Sequence, residues 1–123
     1  MDGAERRRIV LVVEDDPLVR TLITNEFAAD GWLVVEAAKG EEVLDLAQEF
    51  RVGIVFTDIQ LAGQLSGWDV AEELRAIRPN LPVIYTSGDA ADRARQVRAS
   101  LFFDKPYEPA EIVEASGQLL AAA

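Results

Sequence analysis

The chain has 123 residues, 50% of them hydrophobic and 28% charged, which is the balance of one ordinary globular domain and too little chain for two. It contains neither cysteine nor histidine, which excludes disulfide scaffolds, thiolate zinc sites, Cys-His catalysis and serine triads built on a histidine base. A net charge of −10 sets the chain against nucleic acid, whose phosphates attract basic surfaces. No apolar run is long enough to span a bilayer or to act as a secretion signal, so the expected compartment is the cytoplasm, with no membrane partner.

Residues 1–8 read as a polar N-terminal tail, with Arg6-Arg7-Arg8 as a solvated extension, and residues 9–121 as the folded domain. Ile9 to Val13 is an unbroken β-branched and leucine run bounded by charge, the pattern of a strand buried on both faces. Pro17 to Ala29 then turns helical, with Val19, Leu22, Ile23 and Phe27 on one face, Asp16 as cap, Pro17 in the first turn and Gly31 at the end. Strand-like Trp32 to Ala38, helical Glu41 to Phe50 and strand-like Gly53 to Thr57 follow, the last running into Asp58. After a loop of small residues come a helix near Trp68 to Ile77, a strand at Pro82 to Tyr85, a helical stretch near Ala90 to Val97, a strand at Leu101 to Phe103 and a helix near Pro109 to Leu120.

Strands alternating with helices over short connections imply an α/β fold with a parallel sheet covered on both faces. A doubly wound five-stranded sheet of order 2-1-3-4-5 reverses direction between strands 1 and 3, and ligands bind at the carboxyl ends of those strands. Acids stand at both places: Glu14-Asp15-Asp16 after the first strand and Asp58 after the third. Asp16 is best explained as a helix cap. Glu14, Asp15 and Asp58 would repel one another in a single crevice unless a cation or protons neutralised them. With oxygen donors alone, Mg2+ is the natural cation. Strand 4 brings hydroxyls to the same edge in Tyr85-Thr86-Ser87-Gly88, and strand 5 brings an ammonium in Asp104-Lys105-Pro106. A carboxylate nucleophile, a metal, a hydroxyl and a lysine are the parts phosphoryl transfer needs.

In these stretches the sequence resembles the receiver domains of two-component response regulators. The matching segments are Val12 to Pro17, Phe56-Thr57-Asp58, Gly67, Leu81-Pro82-Val83-Ile84 running into Ser87-Gly88, and Lys105-Pro106. The resemblance implies a flavodoxin-like fold, with Asp58 as phosphoacceptor, Asp15 as direct magnesium ligand, Glu14 as an acid holding the metal through water, and the backbone carbonyl of Gln60 as a further ligand. It also implies that Ser87 closes on the phosphoryl group, that Lys105 pairs with it through a cis Lys105-Pro106 peptide, and that Phe102 is the aromatic that turns inward as the hydroxyl moves. The implied phosphoryl donor is a histidine kinase or histidine phosphotransfer protein, and the downstream protein is unknown. The domain would catalyse its own phosphorylation and dephosphorylation without being an enzyme in the usual sense.

Two departures from the family pattern stand out. The stretch from Asp58 to Gly67 lacks the usual proline and carries one extra residue, which leaves that loop either looser or shaped for a particular partner. The stretch from Ser87 to Lys105 is several residues shorter than in most receivers, which predicts a fourth helix that is short, frayed or replaced by irregular chain. No output domain is expected in this chain, so it reads as a stand-alone receiver or as a domain of a hybrid kinase. A phosphohydrolase with an aspartyl nucleophile would need an acid where Gln60 stands, and a flavin or nucleotide carrier would need a phosphate cradle where three acids follow the first strand. A partner-binding receiver that is never phosphorylated would not need the complete set of catalytic residue types.

Overall fold

The computed structural model describes residues 8–89 and 93–123. Residues 1–7 of the expected tail and residues 90–92 of the expected fourth helical stretch lie outside the described residues. In chain order the elements are β1 (Ile9–Val13), α1 (Pro17–Ala29), β2 (Leu33–Ala37), α2 (Val43–Phe50), β3 (Ile54–Asp58), α3 (Gly67–Ile77), β4 (Val83–Ser87), β5 (Ser100–Asp104) and α4 (Pro109–Ala122). The strands form one sheet in the order β2-β1-β3-β4-β5, and every pairing is parallel. The expected topology is observed.

Alternation along the central strands divides the core in two. Leu11, Val13, Val55, Val83 and Tyr85 face α2 and α3, where Val43, Ala47, Trp68, Ala71 and Leu74 meet them. Val10, Val12, Ile54, Phe56 and Ile84 face the other way, against Ile23, Phe27, Ile112, Val113 and Leu120 of α1 and α4. β3 and β4 are buried along their whole length, which is why both read as continuous apolar runs. Among the described residues no helix is long and apolar enough to cross a membrane.

Helix ends follow local chemistry. The Asp16 carboxylate accepts the Leu18 and Val19 amides at 2.9 and 3.3 Å, with Pro17 in the first turn, as expected from the sequence. α3 begins one residue before the expected Trp68, with Ser66 and Asp69 exchanging cap hydrogen bonds. Two expectations need correction. Leu22, placed on the core face of α1 by its spacing, is 58% exposed, because Ile23, Thr24 and Phe27 hold the inward stripe. Arg8, assigned to a solvated tail, instead pairs with Asp30 at 2.7 Å and lies 4.8 Å over the Trp32 ring.

The shortened segment between β4 and β5 contains, among its described residues, a single 3-10 turn at Arg93–Arg95. Side chains hold this segment to the sheet. The buried Tyr85 hydroxyl accepts the Val97 amide at 3.1 Å, Arg95 reaches Asp69 and Glu72 of α3 at 2.9 and 2.7 Å, and the Arg93 guanidinium sits 3.9 Å above the Phe102 ring. Tyr85→Phe keeps the ring but strands the Val97 amide. We expect it to cost about 1 kcal/mol in urea unfolding, with the largest rise in amide exchange at Val97 and neighbouring residues.

Candidate active site

The site lies at the carboxyl ends of β1, β3, β4 and β5, where the reversal of strand order opens a crevice. Glu14 follows β1, and its amide donates to the Ala37 carbonyl at 3.0 Å. Its carboxylate is buried; Oε2 accepts the Asp16 amide at 3.1 Å, while Oε1 accepts no hydrogen bond. Arg20 of α1 fixes the same turn by donating to the Glu14 carbonyl at 2.7 Å while pairing with Glu36 at 3.2 Å.

Asp58 ends β3. Its Oδ1 accepts the Gln60 amide at 3.1 Å, and its Oδ2 accepts from Lys105 Nζ at 2.6 Å. The chain returns so closely over this residue that a Cβ at position 67 would lie 2.2 Å from the Asp58 carbonyl oxygen, which restricts that position to glycine. Lys105 follows β5 with a cis bond to Pro106, as the resemblance implied, and its amide donates to the Ser87 carbonyl at 2.9 Å. Lys105 Nζ also lies 3.6 Å from Glu14 Oε1, so one ammonium serves two buried carboxylates.

Carboxylate oxygens of Glu14, Asp15 and Asp58 come within 4.8 Å of one another. Burial, reinforced by the Asp58 charge, pushes the Glu14 carboxyl from 4.5 up to about 7. For Lys105, burial acts to lower the pKa and is the largest single influence, but the hydrogen bond and charge of Asp58 together with Glu14 outweigh it, so the amine is held above its usual range. The Tyr107 phenol is pushed up to about 12 by burial and by the charges of Glu14 and Asp58. An all-oxygen donor set, a buried carboxylate oxygen that accepts no hydrogen bond and converging acids fit a magnesium ion.

The expected residues are thus largely brought together. Glu14, Asp15, Asp58 and Lys105 form one cluster, with Gln60 bonded to Asp58 through its backbone. Ser87 is buried at the end of β4, one position beyond the Asp58–Thr86 register pair, and its hydroxyl accepts the Asp89 amide at 3.1 Å. Phe102 lies two residues before the end of β5, half-buried and stacked on Trp68 at 6.0 Å. Sequence reasoning missed Arg20 and Tyr107. For Tyr107 the available signal was its place two residues beyond Lys105; for Arg20 there was none, because its target is a backbone carbonyl.

Comparison with known proteins places the chain in a family. The family described as response regulator receiver domain matches residues 10–116, and the chain belongs to that family. It is similar to a response regulator receiver protein from Sinorhizobium medicae, with 30% identity and a TM-score of 0.87 over 93% of this chain and 94% of that one. The probable transcriptional regulatory protein TcrX of Mycobacterium tuberculosis is 32% identical over 85% of this chain and 46% of its own length. The chain spans about half the length of the first curated relatives it matches. The receiver domain of sensor histidine kinase PA1611 from Pseudomonas aeruginosa shares the fold at 24% identity and a TM-score of 0.80 over 92% of this chain and 97% of that one; its crystal structure has a magnesium ion coordinated in the active site cleft.

The Glu14 shift has a definite sign. A folded-state pKa of about 7 against 4.5 means that the folded protein keeps a proton the unfolded chain has lost. Stability from this group is therefore complete below about pH 4.5, falls as pH rises, and is lost above about pH 7, a difference on the order of 3 kcal/mol. In the absence of metal, Glu14→Gln is expected to melt well above the wild type at pH 8, with the gap shrinking at pH 5. Parallel thermal melts at the two pH values check this.

Proposed function

We propose that this receiver domain is a phosphorylation switch in which Asp58 accepts a phosphoryl group from a phosphohistidine of a histidine kinase or phosphotransfer protein. The observation that carries the reading is the position of Asp58: a buried carboxylate at the sheet's switch point, beside two further acids and hydrogen-bonded to Lys105 at 2.6 Å. A carboxylate oxygen attacks phosphorus as the P–N bond to the donor imidazole, protonated on its other ring nitrogen, breaks, leaving an acyl phosphate on Asp58 and a neutral imidazole on the donor. Hydrolysis cleaves the P–O bond, releases inorganic phosphate and restores the carboxylate.

Asp15, Asp58, the Gln60 carbonyl and, through water, Glu14 would hold magnesium, which would supply positive charge to offset the phosphoryl oxygens. Lys105 then exchanges its bond to the free carboxylate for one to the phosphoryl group, and the Ser87 hydroxyl gives up the Asp89 amide to donate to the same group. Because β4 and β5 carry both residues, their closure draws on Phe102, which pairs with Tyr85 across the two strands.

Beside the acids, exposed Leu22 of α1 lines an apolar groove together with Val19, Lys105, Pro106, Tyr107 and Pro109. This surface suits the donor, because apolar contact there would bring a phosphohistidine alongside Asp58. The expected compartment remains the cytoplasm, where kinases of this kind present their phosphohistidine.

Acetyl phosphate with magnesium is expected to add one phosphoryl mass to the wild type and none at this site to Asp58→Asn. Mass spectrometry decides the matter; wild-type labelling of Asp58→Asn would move the acceptor elsewhere. Leu22→Asp should slow transfer from a phosphorylated kinase by on the order of tenfold, as loss of a central interface contact does. Labelling by acetyl phosphate, which needs no docking surface, should stay at the wild-type rate.

A further inference from the structure

The connection from β3 to α3 is one residue longer than the family pattern, and its ends and its crest are held by different elements. At the near end the Ile59 amide donates to Thr86 at 2.9 Å and the Gln60 amide to Asp58 at 3.1 Å. At the far end the Gly67 amide returns to the Ile59 carbonyl at 2.8 Å. The crest rests on the turn between β2 and α2. Ala62 bridges to Lys39, and the Gln64 amide donates to Glu41 Oε2 at 2.8 Å. Gly63 adopts a φ of +90°, and a Cβ there would come within 2.8 Å of the Glu41 carboxylate, so the carboxylate occupies the space a side chain would need. The loop is pinned, not loose, and the bond from the Gln64 amide, the largest of several influences, holds the Glu41 carboxyl below its usual range.

We propose that Glu41 is a positioning residue for the metal: by holding the crest of this loop against the β2–α2 turn, it sets the direction of the Gln60 carbonyl. The proposal rests on the reading of Glu14, Asp15, Asp58 and Gln60 as a magnesium site. Gln60 is exposed, and its amide is committed to Asp58, so the orientation of its carbonyl is controlled by the following residues. A longer loop has more backbone freedom at this point, and a charge-assisted bond from outside the loop removes that freedom. Glu41 acts through the backbone and does not itself touch the ion.

The test measures magnesium affinity by titration calorimetry on the whole chain, together with amide exchange at Gln64 and Leu65 in metal-free protein. Glu41→Ala is expected to raise the magnesium Kd on the order of tenfold, the lower end of what losing an outer-sphere partner costs, and to release the Gln64 amide to exchange. Gly63→Ala should act in the same direction, and the double variant should bind no more weakly than the worse single one, since a single clasp can be lost only once. Glu41→Gln keeps an acceptor oxygen and should fall between Glu41→Ala and the wild type. Asp45→Asn removes an equal charge from α2 without touching the loop and should keep the wild-type Kd. A freed Gln64 amide with a wild-type Kd in Glu41→Ala would overturn the proposal, as would an equal loss in Asp45→Asn. Asp15→Asn separates the two claims: if it binds magnesium like the wild type, the metal site itself is wrong, whereas if it fails to bind while Glu41→Ala binds normally, only the role of Glu41 is lost.

Discussion

Mutual repulsion among Glu14, Asp15 and Asp58 is the constraint around which the rest of this molecule is arranged. Bringing carboxylates within 4.8 Å of one another at the edge of a low-dielectric core is costly unless positive charge is close at hand. The protein supplies part of it from Lys105, whose ammonium stands 2.6 Å from Asp58 and 3.6 Å from Glu14. One cation cannot balance three acids, and the Glu14 carboxyl is pushed up chiefly by its burial and further by the Asp58 charge. In the proposed switch, a divalent cation would complete the neutralisation of these acids before a phosphoryl group arrives. The sheet beneath is buried on both faces along β3 and β4, and so provides a rigid base for a cluster that would otherwise splay apart.

Among the described residues, the segment between β4 and β5 adds only a 3-10 turn to the layer that α2 and α3 form on one face of the sheet. A helix would normally cover this part of the sheet with an apolar stripe and satisfy its own backbone. Here Arg93 covers Phe102 by cation–π contact, Arg95 fastens the chain to α3, and the Tyr85 hydroxyl replaces a helical carbonyl as acceptor for the Val97 amide. The stack of Trp68, Tyr85 and Phe102 is therefore roofed by charged side chains in place of a packed helix. Arg93, which covers Phe102, also pairs with Asp104 at 2.9 Å.

The two faces of the acidic cluster differ in character. On one side α1 and the turn after Lys105 present exposed leucine and proline beside a half-buried tyrosine, a surface suited to a protein partner. On the other, the β3–α3 loop is clasped to the β2–α2 turn through Glu41, a rigid polar rim. In the proposed function, a donor would approach from the apolar side while the polar side would keep the metal ligands in place.

Much of this was legible in the chain itself. The change of period from continuous apolar runs to helical spacing, repeated along the sequence, determined the alternation of strands and helices and hence the parallel sheet. The acids after Val13 and Thr57 marked the switch point, and the Asp16-Pro17 pair marked the start of α1, because a cap acts on amides only two or three residues away. Contacts between distant segments were not legible. The exposure of Leu22 depends on which turn of α1 meets the sheet, which spacing alone leaves open by one position. Arg20 on the Glu14 carbonyl, Tyr85 on the Val97 amide and Glu41 on the Gln64 amide are all bonds to backbone, and a backbone partner leaves no side-chain pattern to read. The sequence by itself determined which groups arrive at the edge of the sheet; only the tertiary structure decided how they are held there, because the holding is done by backbone groups that every residue carries alike.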